Sequence, residues 1–412
     1  MKINKTAFAM ISPLFILLLL VACHSATSNY SAVKNPNIQE QQTNQSSPAQ
    51  PESLNVKNLI PASQETLILT PQDQHRPQIQ AIQSATQTLD IVNYHLSDPD
   101  VVNALLNLVG DKTKHVKIRL LLDAATLKNS SKAQDIMKKL TDAGVATKAS
   151  SSAFSITHQK SLVIDNNEAF VTTMNLVTTS AVTRDFGLIT KDKSIIEEMN
   201  AVFEADWKNA DNNGMNTPAL TQDRLLWSPV NSKSKILSLI SSANVSIDLD
   251  VENFGDTDVQ NAIINQAKKG VKVRTLTPGC IAGTDPLRNR TYLTTMQSAS
   301  SNIVNRVMPA STDASNPYMH AKMMLVDGST FYLGSENFSF NSLTKARELG
   351  ILTSDVNLAN QLEDTFNHDW QIAKNPEQIT KADCDSATGS YNGNNGTPPE
   401  LGKPKPQEPK KP

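Results

Sequence analysis

Two stretches of the chain carry the same reactive side chains at the same spacing. His158-Gln159-Lys160-Ser161-Leu162-Val163-Ile164-Asp165 is followed by Thr172-Thr173-Met174-Asn175. His320-Ala321-Lys322-Met323-Met324-Leu325-Val326-Asp327 is followed by Gly334-Ser335-Glu336-Asn337. In each, Lys stands at +2, Asp at +7 and Asn at +17 from the histidine. Two lysines and two asparagines supply donors for the non-bridging oxygens of a phosphodiester, and two imidazoles can serve as nucleophile and general acid. Neither a carboxylate cluster suited to Mg²⁺ nor a Cys/His set suited to Zn²⁺ accompanies them, so metal-independent chemistry without a cofactor is expected. Two buried histidines of a duplicated core are the plainer reading. It leaves the charge of two lysines in apolar strands unexplained.

These side chains need strands to aim them. In a strand, residues i and i+2 share a face, so His158 and Lys160 should point one way and Gln159 the other, with His320 and Lys322 alike. A return strand at 169–173 or 330–333 then delivers the asparagine from its following turn. Elsewhere, residues 66–69, 88–92 and 116–122 read as strands, separated by helical patterns at 79–85 and 101–108. A further helix from about residue 132 stops at Gly144. This alternation predicts an α/β fold. The chain also repeats itself: Leu69-Thr70-Pro71 and Asp98-x-Asp100-x-x-Asn103-Ala104 recur 158 residues later as Trp227-Ser228-Pro229 and Asp256-x-Asp258-x-x-Asn261-Ala262. Phe203-x-x-Asp206-Trp207 recurs as Phe366-x-x-Asp369-Trp370. So long a period means two whole domains, placed at 61–212 and 213–374, sharing one cleft.

The paired segments resemble the H-x-K-x-x-x-x-D motifs of the phospholipase D superfamily, over roughly residues 61–374. The resemblance implies a tandem-duplicated α/β/α sandwich with both motifs at the domain interface, and a phosphohistidine intermediate on His158. It assigns the phosphoryl oxygens to Lys160, Lys322, Asn175 and Asn337, and gives His320 the proton of the leaving alcohol. Asp165 and Asp327 are then local organisers of the fold. The family also orients each histidine with an acid after the motif, and Asp185 and Glu348 stand 27 and 28 residues after His158 and His320. Thr172-Thr173 departs from the Gly-Ser kept at Gly334-Ser335; Thr173, like Ser335, retains the hydroxyl, and Thr172 marks an asymmetric site. Tyr94-His95 and Glu252-Asn253 hold matched positions after a strand and are candidates for lining the cleft, with an idle loop-end role open for His95.

The ends of the chain read differently. Lys2 and Lys5 precede an apolar run at 11–21 that closes in Leu20-Val21-Ala22-Cys23. This is the layout of a signal peptide over residues 1–23 and resembles a bacterial lipobox, with Cys23 lipidated. His24 in place of an aspartate favours the outer membrane, facing the periplasm or the surface. Residues 24–60 read as a disordered tether and 375–412 as a disordered, Pro-rich tail. Cys280 and Cys384 either pair or remain two thiols.

The folded part has length enough for two cores, at 412 residues in all, and 38 basic against 40 acidic residues give a net charge of -2. No broad basic face for a polyanion is implied. A phospholipase hydrolysing the head-group ester is therefore the favoured reading, with phospholipid as substrate and the membrane reached through Cys23. A nuclease acting on nucleic acid and a phosphatidyl transferase resembling cardiolipin synthases are the alternatives. No obligate protein partner is evident, and a catalytically dead scaffold disagrees with two intact motifs. The insertion at 278–318, with Arg288, Arg290 and Arg306, is expected to form a lid or a wall around the head group.

Overall fold

The fold was obtained as a computed structural model that describes residues 55–281 and 285–387. The first half contributes β1 (Thr66–Leu69), β2 (Thr88–Asn93), β3 (Lys117–Leu122), β4 (Ala146–Ala149), β5 (Ser161–Ile164), β6 (Glu168–Thr172), β7 (Thr183–Arg184) and β8 (Phe186–Thr190). The second contributes β9 (Leu225–Ser228), β10 (Ser246–Val251), β11 (Phe254–Gly255), β12 (Lys272–Thr277), β13 (Ile303–Val307), β14 (Tyr318–Met319), β15 (Lys322–Val326), β16 (Thr330–Gly334), β17 (Phe338–Ser339) and β18 (Glu348–Thr353). The two seven-stranded sheets run β1-β8-β6-β5-β2-β3-β4 and β9-β18-β16-β15-β10-β12-β13, the same order twice. Within each, the first-named strands pair antiparallel as far as β2 or β10, and the last three are parallel.

The strands beside the motifs lack a polar face because both faces are covered. Along β5, Leu162 and Ile164 join a core with the helices Arg76–Ser84, Pro99–Gly110 and Ser131–Ala143, while Val163 between them faces the opposite way. That opposite core is shared: Val163, Val171 and Leu188 pack with Trp227, Phe331, Leu333 and Ile351 of the other half. It also holds Ile195 and Val202 of helix Lys193–Asn212 and Leu362 and Phe366 of helix Val356–Ile372. Each sheet thus lies between helices, and the inner layers of the two halves are one hydrophobic unit.

The repeated sequence patches have identifiable work. Asp98 and Asp256 cap the helices Pro99–Gly110 and Thr257–Lys268 by accepting from the backbone N–H of Asp100 and Val101, and of Asp258 and Val259. Phe203 with Trp207, and Phe366 with Trp370, stack and receive the guanidinium of Arg119 or Arg274, each fixed by an aspartate of the neighbouring strand, Asp90 or Asp248.

Two sequence-based boundaries move. The final residues of the expected tether form a 3-10 turn, Val56–Leu59, because Leu59 is buried in the second-half core. The first residues of the expected tail form the turn Pro376–Gln378 and the helix Lys381–Ser386, because Ile379 enters that core and Cys384 is disulfide-bonded to Cys280. The signal peptide, Cys23, the tether up to residue 54 and the tail from residue 388 lie outside the described residues.

Candidate active site

Each half hands its histidine to the other. β14, just ahead of His320, pairs in parallel with β7 of the first half, and His320 N–H donates to the Arg184 carbonyl at 3.1 Å. Thr157, just ahead of His158, bridges to Arg347 of the second half, and His158 N–H donates to the Arg347 carbonyl at 2.9 Å. The sequence pattern predicts that His158 and Lys160 belong to their own strand. Instead β5 begins at Ser161, and ahead of it the N–H groups of His158 and Gln159 both donate to the Arg347 carbonyl of the opposite half; Gln159 is buried as well.

The acids cross over too. His158 Nδ1 lies 2.9 Å from Glu348 Oε2 and 3.1 Å from the Ser335 carbonyl; His320 Nδ1 lies 2.7 Å from Asp185 Oδ1. A carbonyl only accepts, so Nδ1 of His158 carries the hydrogen and Nε2 presents its lone pair. Asp185 sits in the first half and orients the second-half histidine, while Glu348 does the reverse. Thr173 Oγ1 donates to Asp185 at 2.6 Å, and Ser342 Oγ donates to Glu348 at 2.5 Å. Ser335, matched to Thr173, accepts from Leu349 N–H at 3.1 Å. Thr172 lies opposite Gly187, and its methyl group takes the space a Cβ on that glycine would need.

Lys160 and Lys322 are buried and donate to the carbonyls of His158 and His320. Burial brings Lys160 down to about 7; Glu348 opposes the fall and Lys322 adds to it. Burial, with the charges of Lys160, Lys322 and His320, also pushes His158 well below the usual imidazole range, which keeps it neutral. That both lysines and both histidines enter this one electrostatic environment places the two motifs around a single centre. Asn175 is buried, and Asn337 accepts from Asn253 N–H through Oδ1 at 3.1 Å, leaving its Nδ2 to donate. A recess beside His320 is walled by Asn175, Thr179, Ser180 and Thr183.

Of the residues matched after β2 and β10, Tyr94 stacks edge-on against His158 at 4.9 Å and lies under Lys160 Nζ at 5.3 Å. His95 packs against Tyr94, and burial, then Lys160 and His320, lower it to about 4. Glu252 contacts Lys322 and His320. Asp165 and Asp327 lie far from this chemistry. Asp165 accepts from the backbone N–H of Thr86, Gln87 and Thr88; Asp327 accepts from those of Asn244, Val245 and Ser246, tying each motif strand to the start of its neighbour.

Sequence reasoning missed the buried arginines beside the acids. Arg184 pairs bidentately with Asp369 at 2.5 and 2.9 Å, and Arg347 bonds Asp206 at 2.8 Å, so each fastens the strand of one acid to the long helix of the other half. The signal was present in the repeat, where the aspartate of Phe-x-x-Asp-Trp returns as the partner. The arginines of the insertion are placed differently from the expectation. Arg290 donates to the Pro376 and Ile379 carbonyls, and Arg306 to the Trp370 carbonyl, so these two brace the C-terminal segment. Among the described residues no group of three or more His, Cys, Asp or Glu is arranged to hold a metal ion.

A duplicated α/β fold that carries a His-Lys-Asn set in each half defines the class of the chain, and the comparisons identify the same two copies. Residues 78–207 and 236–370 each match the family described as "Cardiolipin synthase, PLD-like domain". The chain belongs to this family of the phospholipase D superfamily. A probable cardiolipin synthase of Bacillus subtilis (strain 168) is 24% identical over 316 residues, which is 68% of this chain and 61% of that protein. The mitochondrial cardiolipin hydrolase of Xenopus tropicalis is 25% identical over 138 residues, 34% of this chain and 60% of its own. The chain therefore spans about three fifths of the length of these relatives. The crystal structure of phosphatidylserine synthase from Haemophilus influenzae Rd KW20 shares the fold, with a TM-score of 0.61 at 14% identity over 78% of this chain and 90% of that one.

Proposed function

We propose that the protein is a phosphatidyl transferase of the cardiolipin synthase type. The observation that carries this reading is the convergence of two histidines, each oriented through Nδ1 by an acid of the opposite half, within a family whose description and whose Bacillus relative both name cardiolipin synthase. The sequence alone favours hydrolysis and keeps transfer as an alternative; the relatives support transfer better. Hydrolysis is the second reading, favoured by the similarity to a cardiolipin hydrolase, and differs only in the acceptor of the second step.

In the proposed mechanism Nε2 of His158 attacks the phosphorus, and His320 protonates the departing alcohol oxygen. Lys160, Lys322, Asn175 and Asn337 hold the non-bridging oxygens. The acceptor hydroxyl then gives its proton to His320, its oxygen attacks phosphorus, and the P–N bond breaks with its electron pair returning to His158. Membrane attachment through a lipidated Cys23, on an exported chain, would bring this centre to its lipid. Among the described residues no helix is long and apolar enough to cross a membrane.

The test is incubation of the purified protein with phosphatidylglycerol vesicles in EDTA, with plasmid DNA in parallel. Cardiolipin and free glycerol are expected, since the donors to the phosphoryl group are side chains. Phosphatidic acid alone would establish hydrolysis, and DNA nicking without lipid turnover would establish a nuclease.

The buried lysine sets a pH limit. A lysine whose value lies near 7 loses its charge as pH rises, so kcat/KM, which reports the free enzyme, should fall through about pH 7. A bound anionic phosphodiester restores the charge and moves the corresponding limb of kcat to higher pH. Lys160→Arg should remove the limb, and a kcat/KM profile that stays level from pH 6 to 9 would count against a phosphate-holding Lys160.

A further inference from the structure

One difference between the two halves lies directly beside the histidines and lysines. The residue after β2 is Tyr94, whose ring covers His158 and Lys160; its counterpart after β10 is Glu252. The Glu252 carboxylate lies 3.1 Å from Lys322 Nζ and 3.7 Å from His320 Nε2, and accepts from the Tyr318 hydroxyl at 3.1 Å. Burial opposes its charge, but Lys322 and His320 outweigh burial and hold it at about 2, so the group is ionised. Its backbone is fixed as well, with Asn289 Nδ2 donating to the Glu252 carbonyl at 2.9 Å.

An ionised carboxylate offers only acceptors. It repels phosphoryl oxygens, so it does not help hold the phosphoryl group. It stands instead beside Nε2 of His320, the atom that exchanges a proton with the alcohol oxygen in the mechanism above, and so faces the alcohol. With Lys322 already balancing its charge, a second cation there gains little, whereas a neutral hydroxyl can donate to it. A nucleic-acid strand would bring a further phosphate to the same side and be repelled.

We infer that Glu252 is a specificity-determining residue that accepts a hydrogen bond from a second hydroxyl of the alcohol, so that the phosphatidyl group is passed to a polyol of the glycerol type in preference to a simple alcohol or water. This rests on the transferase reading. The reacting hydroxyl loses its proton to His320 and bonds to phosphorus as the P–N bond to His158 breaks; the neighbouring hydroxyl keeps its proton and only donates to Glu252.

The test presents phosphatidylglycerol vesicles to the full chain with isotopically labelled glycerol and ethanol in equal amounts, and reads labelled phosphatidylglycerol against phosphatidylethanol by mass spectrometry. Wild-type protein should favour glycerol. Glu252→Gln and Glu252→Tyr, the latter restoring the first-half residue, should each lower the product ratio about tenfold, the loss expected for one hydrogen bond to a charged group. The ratio is independent of how much protein is folded, so a merely structural role would leave it unmoved. If the variants are inactive, wild-type protein decides: it should prefer 1,2-propanediol to 1-propanol. An unchanged ratio in active variants, or no preference for the diol, overturns the inference while leaving transfer intact. No phosphatidyl transfer to any alcohol by wild-type protein would remove the transferase reading and this inference together.

Discussion

His158→Ala is expected to lower lipid turnover by about 10⁴-fold or more and to form no phosphoenzyme, whereas His320→Ala should accumulate one. The asymmetry follows from the surroundings of the two rings. His158 is kept neutral by burial and by two nearby lysines, as a nucleophile must be. His320 is held by Asp185 on Nδ1 at 2.7 Å, which leaves Nε2 as the atom placed to exchange a proton with the alcohol oxygen. With a substrate whose leaving group needs little protonation, His320→Ala should therefore complete the first step and stall before the second. Mass spectrometry after a quench that avoids acid locates the adduct. An adduct on His320 in the His158→Ala protein would exchange the two roles, and no adduct in either would point to direct attack by the acceptor.

Arg184→Met should destabilise the protein by about 3–5 kcal/mol, the range for removing one partner of a buried ion pair. Arg184 and Asp369 are both fully enclosed, and the same guanidinium donates to the Thr70 carbonyl. Nearby Asp250 is buried with neither carboxylate oxygen hydrogen-bonded, and burial, with the charge of Asp369 adding, pushes it well above the usual carboxylate range. Without the arginine, enclosed Asp369 would lose its bidentate partner, and Asp250 one of the two guanidinium groups that offset its burial. Urea denaturation followed by circular dichroism measures the loss, and a change below about 1 kcal/mol, the scale of an exposed pair, would mean that the clasp contributes little.

The candidate set was legible because its spacing repeats: His, Lys, Asp and Asn stand at the same offsets in both copies, although the backbone that holds each histidine comes from the opposite half. The pairing of acids with histidines was not. Asp185 and Glu348 stand at equal distances after their own motifs, and nothing in that spacing reveals that Asp185 bonds His320 and Glu348 bonds His158; the exchange is decided by how the halves dock. The repeats announced duplication, but their aspartates turned out to be helix caps and arginine partners, roles that depend on where the chain places an N–H or a guanidinium. The ordered residues after 375 were hidden by polar composition, since one buried isoleucine and one disulfide outweigh it. Glu252 was visible as a matched position, while its significance depends on two distances that only the folded chain supplies.

The exchange of acids also bears on how such a chain can change over generations. Two identical copies docked about a twofold axis would make the same crossed pairs, each lending its acid to the other, so symmetry alone would keep both sites alike. Once joined in one polypeptide, the copies are released from that identity but not from mutual need. Tyr94 can drift away from Glu252, and Thr172 from Gly334, because those positions serve only their own side. Asp185 and Glu348 differ only as one carboxylate from another, for a change in either is felt by the histidine of its sibling. Neither half is a spare for the other: a lesion in one is inherited by both, and variation collects at the cleft positions that nobody shares.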